Sequence, residues 1–334
     1  MTSTTTRTNR PNRAPRAVTR RTFLRSSLGL AGLMAASSLL MTGCSGSQAV
    51  QATATTSDDA KLNVSASFYP TYDFTSKVGG DDVSVTCLVP AGTEPHDWEP
   101  SSTDVASITK SDLLVYNGAS MEHWIDDVTN AAGDSLKTCE ASKGLRLRAG
   151  EAEEGEEQDG PVYDPHVWLA PENAKAEMAN IKDALSEIDP DHASDYENNY
   201  DEYAAKFDDL DKEYSDRLSA VPNKTIVVSH EAFGYLCDAY GLTQIAITGM
   251  DAEGEPDAQT MASIIDQVKA TGIKTIFSEE LVSPKVAQQI ADATGAECKV
   301  LNPIEGLEQD ELDAGEDYFS VMRSNLDELV AALS

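Results

Sequence analysis

Three of the five histidines in this 334-residue chain fall in loops next to runs rich in β-forming residues. His96 lies in PAGTEPHDWEP (90–100), His166 in DPHVWL (164–169) and His230 in VSHEAFGY (228–235). Neutral imidazole is a borderline nitrogen donor and a favoured ligand for zinc. Pro95 and Pro165 each precede a histidine, and proline fixes its own φ and restricts the residue before it, so both loops are stiffened. Each histidine alone reads as an ordinary packed residue. Three of them on comparable loops, spread over both halves of the chain, point instead to one divalent cation held between two lobes. His123, within MEHW, and His192, beside Asp191 at a helix start, lack such a setting and read as surface or capping residues.

The elements that must carry these loops alternate. Short β-rich runs occupy 61–69, 83–89, 113–117 and 136–139, with helical patterns at 72–78, 103–110 and 119–132. The second half repeats the scheme, with strands at 225–229, 243–248, 275–278 and 298–301 and helices over 258–270, from Ser283-Pro284 to Gly295, and from 315 to 333. Strand–helix alternation implies parallel sheets, and in such sheets ligands gather at the carboxyl ends of strands. The expected fold is α/β, two lobes, each a four-stranded mainly parallel sheet flanked by helices. Between them Tyr196, Tyr200, Tyr203, Phe207, Leu210, Tyr214 and Leu218 recur at steps of three and four, one face of a long helix over about 190–220. A helix of that length is stiffer than strand hinges, so large domain closure is disfavoured. The expected boundaries are an N-terminal lobe at 61–189, the linking helix at 190–220 and a C-terminal lobe at 221–334.

The motifs PHDWEP, DPHVWL and SHEAFGY resemble those of the metal-specific solute-binding proteins of ABC importers, the zinc and manganese class. The likeness runs from Lys61 to Leu333, including the long helix. It implies two α/β lobes bridged by that helix with a metal buried between them, and His96, His166 and His230 as ligands. The resemblance offers a carboxylate as fourth ligand, after the last strand of the second lobe. There the chain reads VLNPIEGL (300–307), where the aspartate of some members is Asn302, a poor ligand. Glu305 is therefore expected as the fourth ligand, with Glu279 in FSEE as the reserve and a water molecule as a third option. Three imidazoles and one carboxylate suit tetrahedral zinc, whereas related manganese binders carry a carboxylate where His230 stands.

The ends and the charge add an address. Of the 25 basic residues, seven arginines fall in residues 1–43, which hold none of the 57 acids, so the remainder is more acidic than the chain's net −32. Such a polyanion repels nucleic acid and anionic headgroups. Arg20-Arg21 opens a twin-arginine run, an apolar stretch spans 28–41, and LMTGC ends at Cys44. This reads as a signal peptide over 1–44 with a lipobox, cleaved before Cys44 and acylated on its thiol. Either the folded-export route or the general one accepts it. Residues 45–60, rich in Ser, Ala and Thr, read as a flexible tether, giving a lipid-anchored protein on the outer face of the cell membrane. The run 151–160, with six acids and no histidine, replaces the histidine-rich loop of zinc-binding relatives and reads as a solvated excursion. Among the body cysteines, Cys237 and Cys298 are a candidate disulfide worth roughly 4 kcal/mol by loop entropy; Cys87 and Cys139 read as free thiols.

Three functions compete. The first, implied by the resemblance, is an extracytoplasmic zinc receptor, monomeric, handing Zn2+ to a membrane permease driven by an ATPase, with a manganese receptor of the same class as its variant. The second is a zinc hydrolase, for which three protein ligands and an open water position would serve; no HExxH occurs, although Glu231 follows His230. The third is a surface adhesin, for which no residue speaks.

Overall fold

The computed structural model describes residues 61–150 and 161–334, all within one compact unit. The twin-arginine run, Cys44, the expected tether and the acidic run 151–160 lie outside the described residues. No helix among the described residues is long and apolar enough to cross a membrane.

The first half is a parallel sheet of β1 (Leu62–Ala66), β2 (Val83–Cys87), β3 (Leu113–Tyr116) and β4 (Lys137–Glu140) in the order β2-β1-β3-β4. Leu62 pairs with Val83, Val64 with Leu113 and Leu113 with Lys137. The first half also holds helices α1 (Tyr69–Gly79), α2 (Ser102–Ile108), α3 (Ile125–Ala132) and α4 (Pro171–Ile188). The helix expected over 119–132 starts later, at Ile125, because Gly118, Ala119 and Ser120 have φ of 78°, 51° and 71°, outside the right-handed helical region.

The linking helix α5 (Ala193–Ser219) has 27 residues, about 40 Å at 1.5 Å per residue. It packs against α1 and α4 on one side of the chain order. On the other it meets α6 (Gly234–Tyr240) and α10 (Tyr318–Leu333). Tyr196, Phe207, Leu210, Tyr214 and Leu218 of its apolar stripe are buried. Phe207 meets Phe74 at 5.8 Å and Phe319 at 4.8 Å between ring centroids, and Tyr214 donates its hydroxyl to the Met322 carbonyl at 2.6 Å. The main hydrophobic core therefore runs without a break from β1 and α1 through α4 and α5 to β5 (Thr225–Val228), α6 and α10. A core shared by both halves resists hinge motion, because opening it would expose close-packed apolar surface.

The second half holds β5, β6 (Thr243–Ala246), β7 (Thr275–Ser278) and β8 (Glu297–Val300) as two parallel pairs, β5-β6 and β7-β8, with β5 lying alongside β7. Helices α7 (Ala258–Thr271) and α8 (Lys285–Thr294) cover these strands through a second apolar cluster that includes Ile264, Val268, Ile276 and Ile290. Asp257 caps α7 by accepting from Thr260 N at 2.7 Å. A short helix α9 (Gln309–Ala314) precedes α10, which begins at Tyr318, three residues after the start expected for the last helix.

The expected Cys237–Cys298 bridge is not formed: both are free thiols, as are Cys87 and Cys139. Cys237 is buried on α6 in the main core, while Cys298 stands on β8 against the second cluster, so the two sulfurs belong to different packing layers.

Candidate metal centre

The DPHVWL segment enters α4 through one 3-10 turn, Val167–Leu169. Asp164 fixes the turn before it, accepting from His166 N at 3.0 Å and facing His166 Nδ1 at 2.9 Å. Asn117 donates to the Pro165 carbonyl at 2.9 Å. His166 is fully buried. His96 sits in the loop after β2, where Glu94 accepts its backbone N–H at 3.0 Å; its side chain, 13% exposed, is the outward face of the cluster. His230 follows β5. Glu279, just past β7, accepts His230 N at 3.2 Å and faces Nδ1 at 2.8 Å. His230 is also fully buried.

Glu305 arrives on the turn after β8. Ile304 before it is buried with φ of 60°, a conformation that a β-branched residue rarely adopts. Asn302 Oδ1 accepts the Ile304 N–H at 2.7 Å. Both neighbouring loops tie into this turn: Trp168 donates its indole N–H to the Pro303 carbonyl at 2.8 Å, and Gly92 its N–H to the Leu307 carbonyl at 3.0 Å.

These loops bring His96, His166, His230 and Glu305 into one cluster, the one group of its kind among the described residues that could hold a metal ion. His166 Nε2 lies 3.3 Å from His96 Nε2 and 3.0 Å from His230 Nε2. Glu305 Oε1 is 3.0, 3.2 and 3.4 Å from Nε2 of His166, His230 and His96. A tetrahedral site with metal–ligand distances of about 2.0–2.1 Å has edges of about 3.3 Å, so the spacing fits four ligands around one ion. The carboxylates at Nδ1 of His166 and His230 only accept, so each Nδ1 carries its hydrogen and the neutral ring turns its Nε2 lone pair to the centre.

Electrostatics favour positive charge there. Burial opposes a charged His166 ring, but its hydrogen bonds to Asp164 and Glu305 outweigh that and raise its pKa. Burial likewise opposes charge on His230, yet the Glu279 and Glu305 carboxylates hold its pKa well above the imidazole value. Burial acts against an ionised Glu305, and the charge of His230 with the hydrogen bonds from the three rings keeps its carboxyl well below the usual range. Protons and a divalent cation compete for the same place.

Of the expected ligands, all three histidines and Glu305 converge. Glu279 stands behind His230 rather than in the cluster. Asn302 faces away, its Nδ2 donating to Glu280. His123 is exposed, and His192 pairs with Asp189 at 2.8 Å. Sequence reasoning missed Arg148. Its Nε lies 3.3 Å from Asp164 Oδ2, and its guanidinium also pairs with Asp238 on α6. A Cβ on Gly234 would stand 2.5 Å from that Nε and 2.7 Å from Asp164 Oδ2, which is why SHEAFGY carries a glycine. Tyr235 closes the ring by donating to the Asp164 carbonyl at 2.8 Å. No local pattern marks an arginine whose partners lie 16 and 90 residues along the chain.

Comparison with known proteins agrees with this geometry. Residues 64–332 match the family model described as the zinc-uptake complex component A, periplasmic. The high-affinity zinc uptake system protein ZnuA of Bacillus subtilis is 40% identical over 308 residues, covering 90% of this chain and 96% of the relative. The zinc-binding protein AdcA of Streptococcus pyogenes is 39% identical over 287 residues, covering 81% of this chain; the chain spans 56% of that longer relative. Among solved structures, the Zn(II)-bound ZnuA-like domain of Streptococcus pneumoniae AdcA superposes with a TM-score of 0.72 at 38% identity, covering 82% of this chain and 99% of that one.

Proposed function

The chain belongs to the zinc-uptake complex component A family, and from that premise we propose that His96, His166, His230 and Glu305 bind one zinc ion as its four ligands. The protein is the solute-binding receptor of a zinc ABC importer, an extracytoplasmic component that serves a membrane permease and its ATPase. Zinc is its cargo. The observation that carries the ligand assignment is the convergence of three Nε2 atoms and one carboxylate oxygen within 4.8 Å of one another, with His166 Nε2 3.0 and 3.3 Å from the other two rings and Glu305 Oε1 3.0–3.4 Å from all three. Three imidazoles and a single carboxylate favour zinc over manganese, which takes more oxygen ligands. Glu305 in the fourth position closes the coordination sphere, whereas a catalytic zinc keeps one position open for water. The site therefore suits capture and hand-over rather than hydrolysis.

In this reading the receptor acts as a monomer held to the membrane by lipid on Cys44, with residues 45–60 as the leash. Ions enter past His96, the least buried of the four, and the fixed core shared by both halves confines rearrangement to the ligand loops.

The test is competitive zinc titration of metal-stripped wild type and of His96→Ala, His166→Ala, His230→Ala and Glu305→Ala. One tight equivalent in wild type, weakened in all four variants, is expected. Wild-type protein that stays indifferent to zinc would overturn the reading, and a Glu305→Ala protein matching wild type would move the fourth ligand elsewhere.

A further inference from the structure

The turn that delivers Glu305 is held in an unfavourable backbone conformation by groups outside the four-residue cluster. Ile304 has φ of 60° and is fully buried; left alone, a β-branched residue would leave the left-handed region for extended backbone. That relaxation would re-aim the next residue, Glu305, out of the triangle of imidazoles. Opposing it, Asn302 Oδ1 accepts the Ile304 N–H at 2.7 Å. Asn302 is itself locked: its N–H donates to Asn325 Oδ1 at 2.9 Å and its carbonyl accepts from Asn325 Nδ2 at 2.7 Å. Asn302 and Asn325 are both buried, so these bonds are made away from competing water. Between them, Pro303 is tethered by the Trp168 indole N–H at 2.8 Å, and Tyr318 donates its hydroxyl to the Trp168 carbonyl at 2.6 Å.

We propose that Asn302 is a positioning residue for zinc, its side-chain amide clamping Ile304 in the left-handed conformation so that the Glu305 carboxylate is pre-aimed at the three imidazoles. The clamp makes Glu305 the switchable ligand. While the Asn302–Ile304 hydrogen bond holds, four ligands face the ion; when it breaks, backbone strain drives Glu305 away and leaves a three-histidine site that lets zinc go. Strain of this kind persists only where the surroundings over-determine it, as Asn325 and Trp168 do here. The proposal rests on Glu305 being a zinc ligand.

The experiment compares wild type, Asn302→Ala, Ile304→Gly and Asn302→Ala/Ile304→Gly by stopped-flow zinc release to a chelator, with the absorption of the Co2+-loaded protein as a report on coordination and thermal melting as a report on folding. Removing a group that orients a ligand costs ~10–100-fold in metal affinity, and Asn302→Ala is expected to release zinc faster by that factor, with altered Co2+ bands. Glycine enters the left-handed region freely, so the double variant is expected to release zinc more slowly than Asn302→Ala even though loss of the Ile304 side chain lowers its melting temperature. Residues that only support the fold would give additive losses, so a double variant that releases zinc faster than Asn302→Ala overturns the proposal. Asn302→Ala matching wild type overturns it alone; wild type that binds no zinc, or Glu305→Ala that binds like wild type, overturns the ligand assignment with it.

Discussion

Glu279 Oε1 lies 2.8 Å from His230 Nδ1 and 3.2 Å from the His230 backbone nitrogen, which puts this carboxylate behind the ring, where in the proposed site it holds a ligand in place. Asp164 has the same relation to His166, at 2.9 and 3.0 Å. Two of the three imidazoles thus have both tautomer and ring orientation set by a buried acid reached from backbone and ring at once. Glu279→Ala removes both bonds while leaving all four cluster residues in the chain. Its zinc affinity is expected to fall ~10–100-fold with one equivalent still bound, measured by competition against a chelating indicator. A loss of stoichiometry instead of affinity would mean that Glu279 itself bonds the metal.

Zinc binding should release protons and weaken on acidification. His166 and His230 titrate above the ordinary imidazole value of 6.5 when no metal competes, so affinity should decline as pH falls through that raised range and not only below it. With both rings protonated the slope approaches about two decades of affinity per pH unit. The stability of metal-stripped protein runs the other way. A raised histidine pKa contributes stability that is present below the unfolded value and lost as pH rises through the folded one. The low Glu305 pKa contributes stability above its unfolded value, lost as pH falls through its folded value. Zinc should therefore raise the melting temperature more with each step from mildly acidic to mildly alkaline buffer; calorimetry with and without zinc at several pH values checks the trend.

Gly234→Ala should disturb the site from outside it. The new methyl would stand 2.5 Å from Arg148 Nε and 2.7 Å from Asp164 Oδ2, forcing apart the ion pair that steadies the holder of His166. A loss of stability of about 1–3 kcal/mol from overpacking, seen as a lower melting temperature, and faster zinc release are expected together. Gly272→Ala, whose Cβ would meet nothing within 4 Å, serves as the control: it should cost stability through its φ of 69° and leave zinc release unchanged.

The body should be indifferent to reductant. Cys87, Cys139, Cys237 and Cys298 are free, and burial pushes the Cys237 thiol up to about 12, which keeps it protonated and unreactive at neutral pH. In protein lacking residues 1–60, four thiols per chain should react in denaturant whether or not it was reduced first, and the melting temperature should not change with reductant. Two reactive thiols before reduction and four after would restore a disulfide.

Local sequence settled a good deal about this protein. Strand–helix alternation with parallel-sheet spacing, the three- and four-residue steps from Tyr196 to Leu218, and three histidines on loops, two of them preceded by proline, are properties of short segments. The physics that reads them, side-chain periodicity and backbone restriction, is equally short in range. Only the tertiary structure decided the rest. Ala119 and Ser120 adopt positive φ in a turn where Glu122 accepts from the Asn117 and Gly118 N–H groups, which displaced the expected start of α3. Glu305 joins the cluster while Glu279 sits behind His230, and Asn302 Oδ1 reaches the Ile304 N–H, in a turn after β8 that is bound by Trp168 and Asn325. Arg148 meets Asp164 and Asp238 across the boundary between the halves, and Cys237 and Cys298 stay apart on separate cores. Each of these depends on groups brought together from distant stretches of chain, where direction and distance are fixed by the packing of whole elements and leave no mark in the spacing of neighbours.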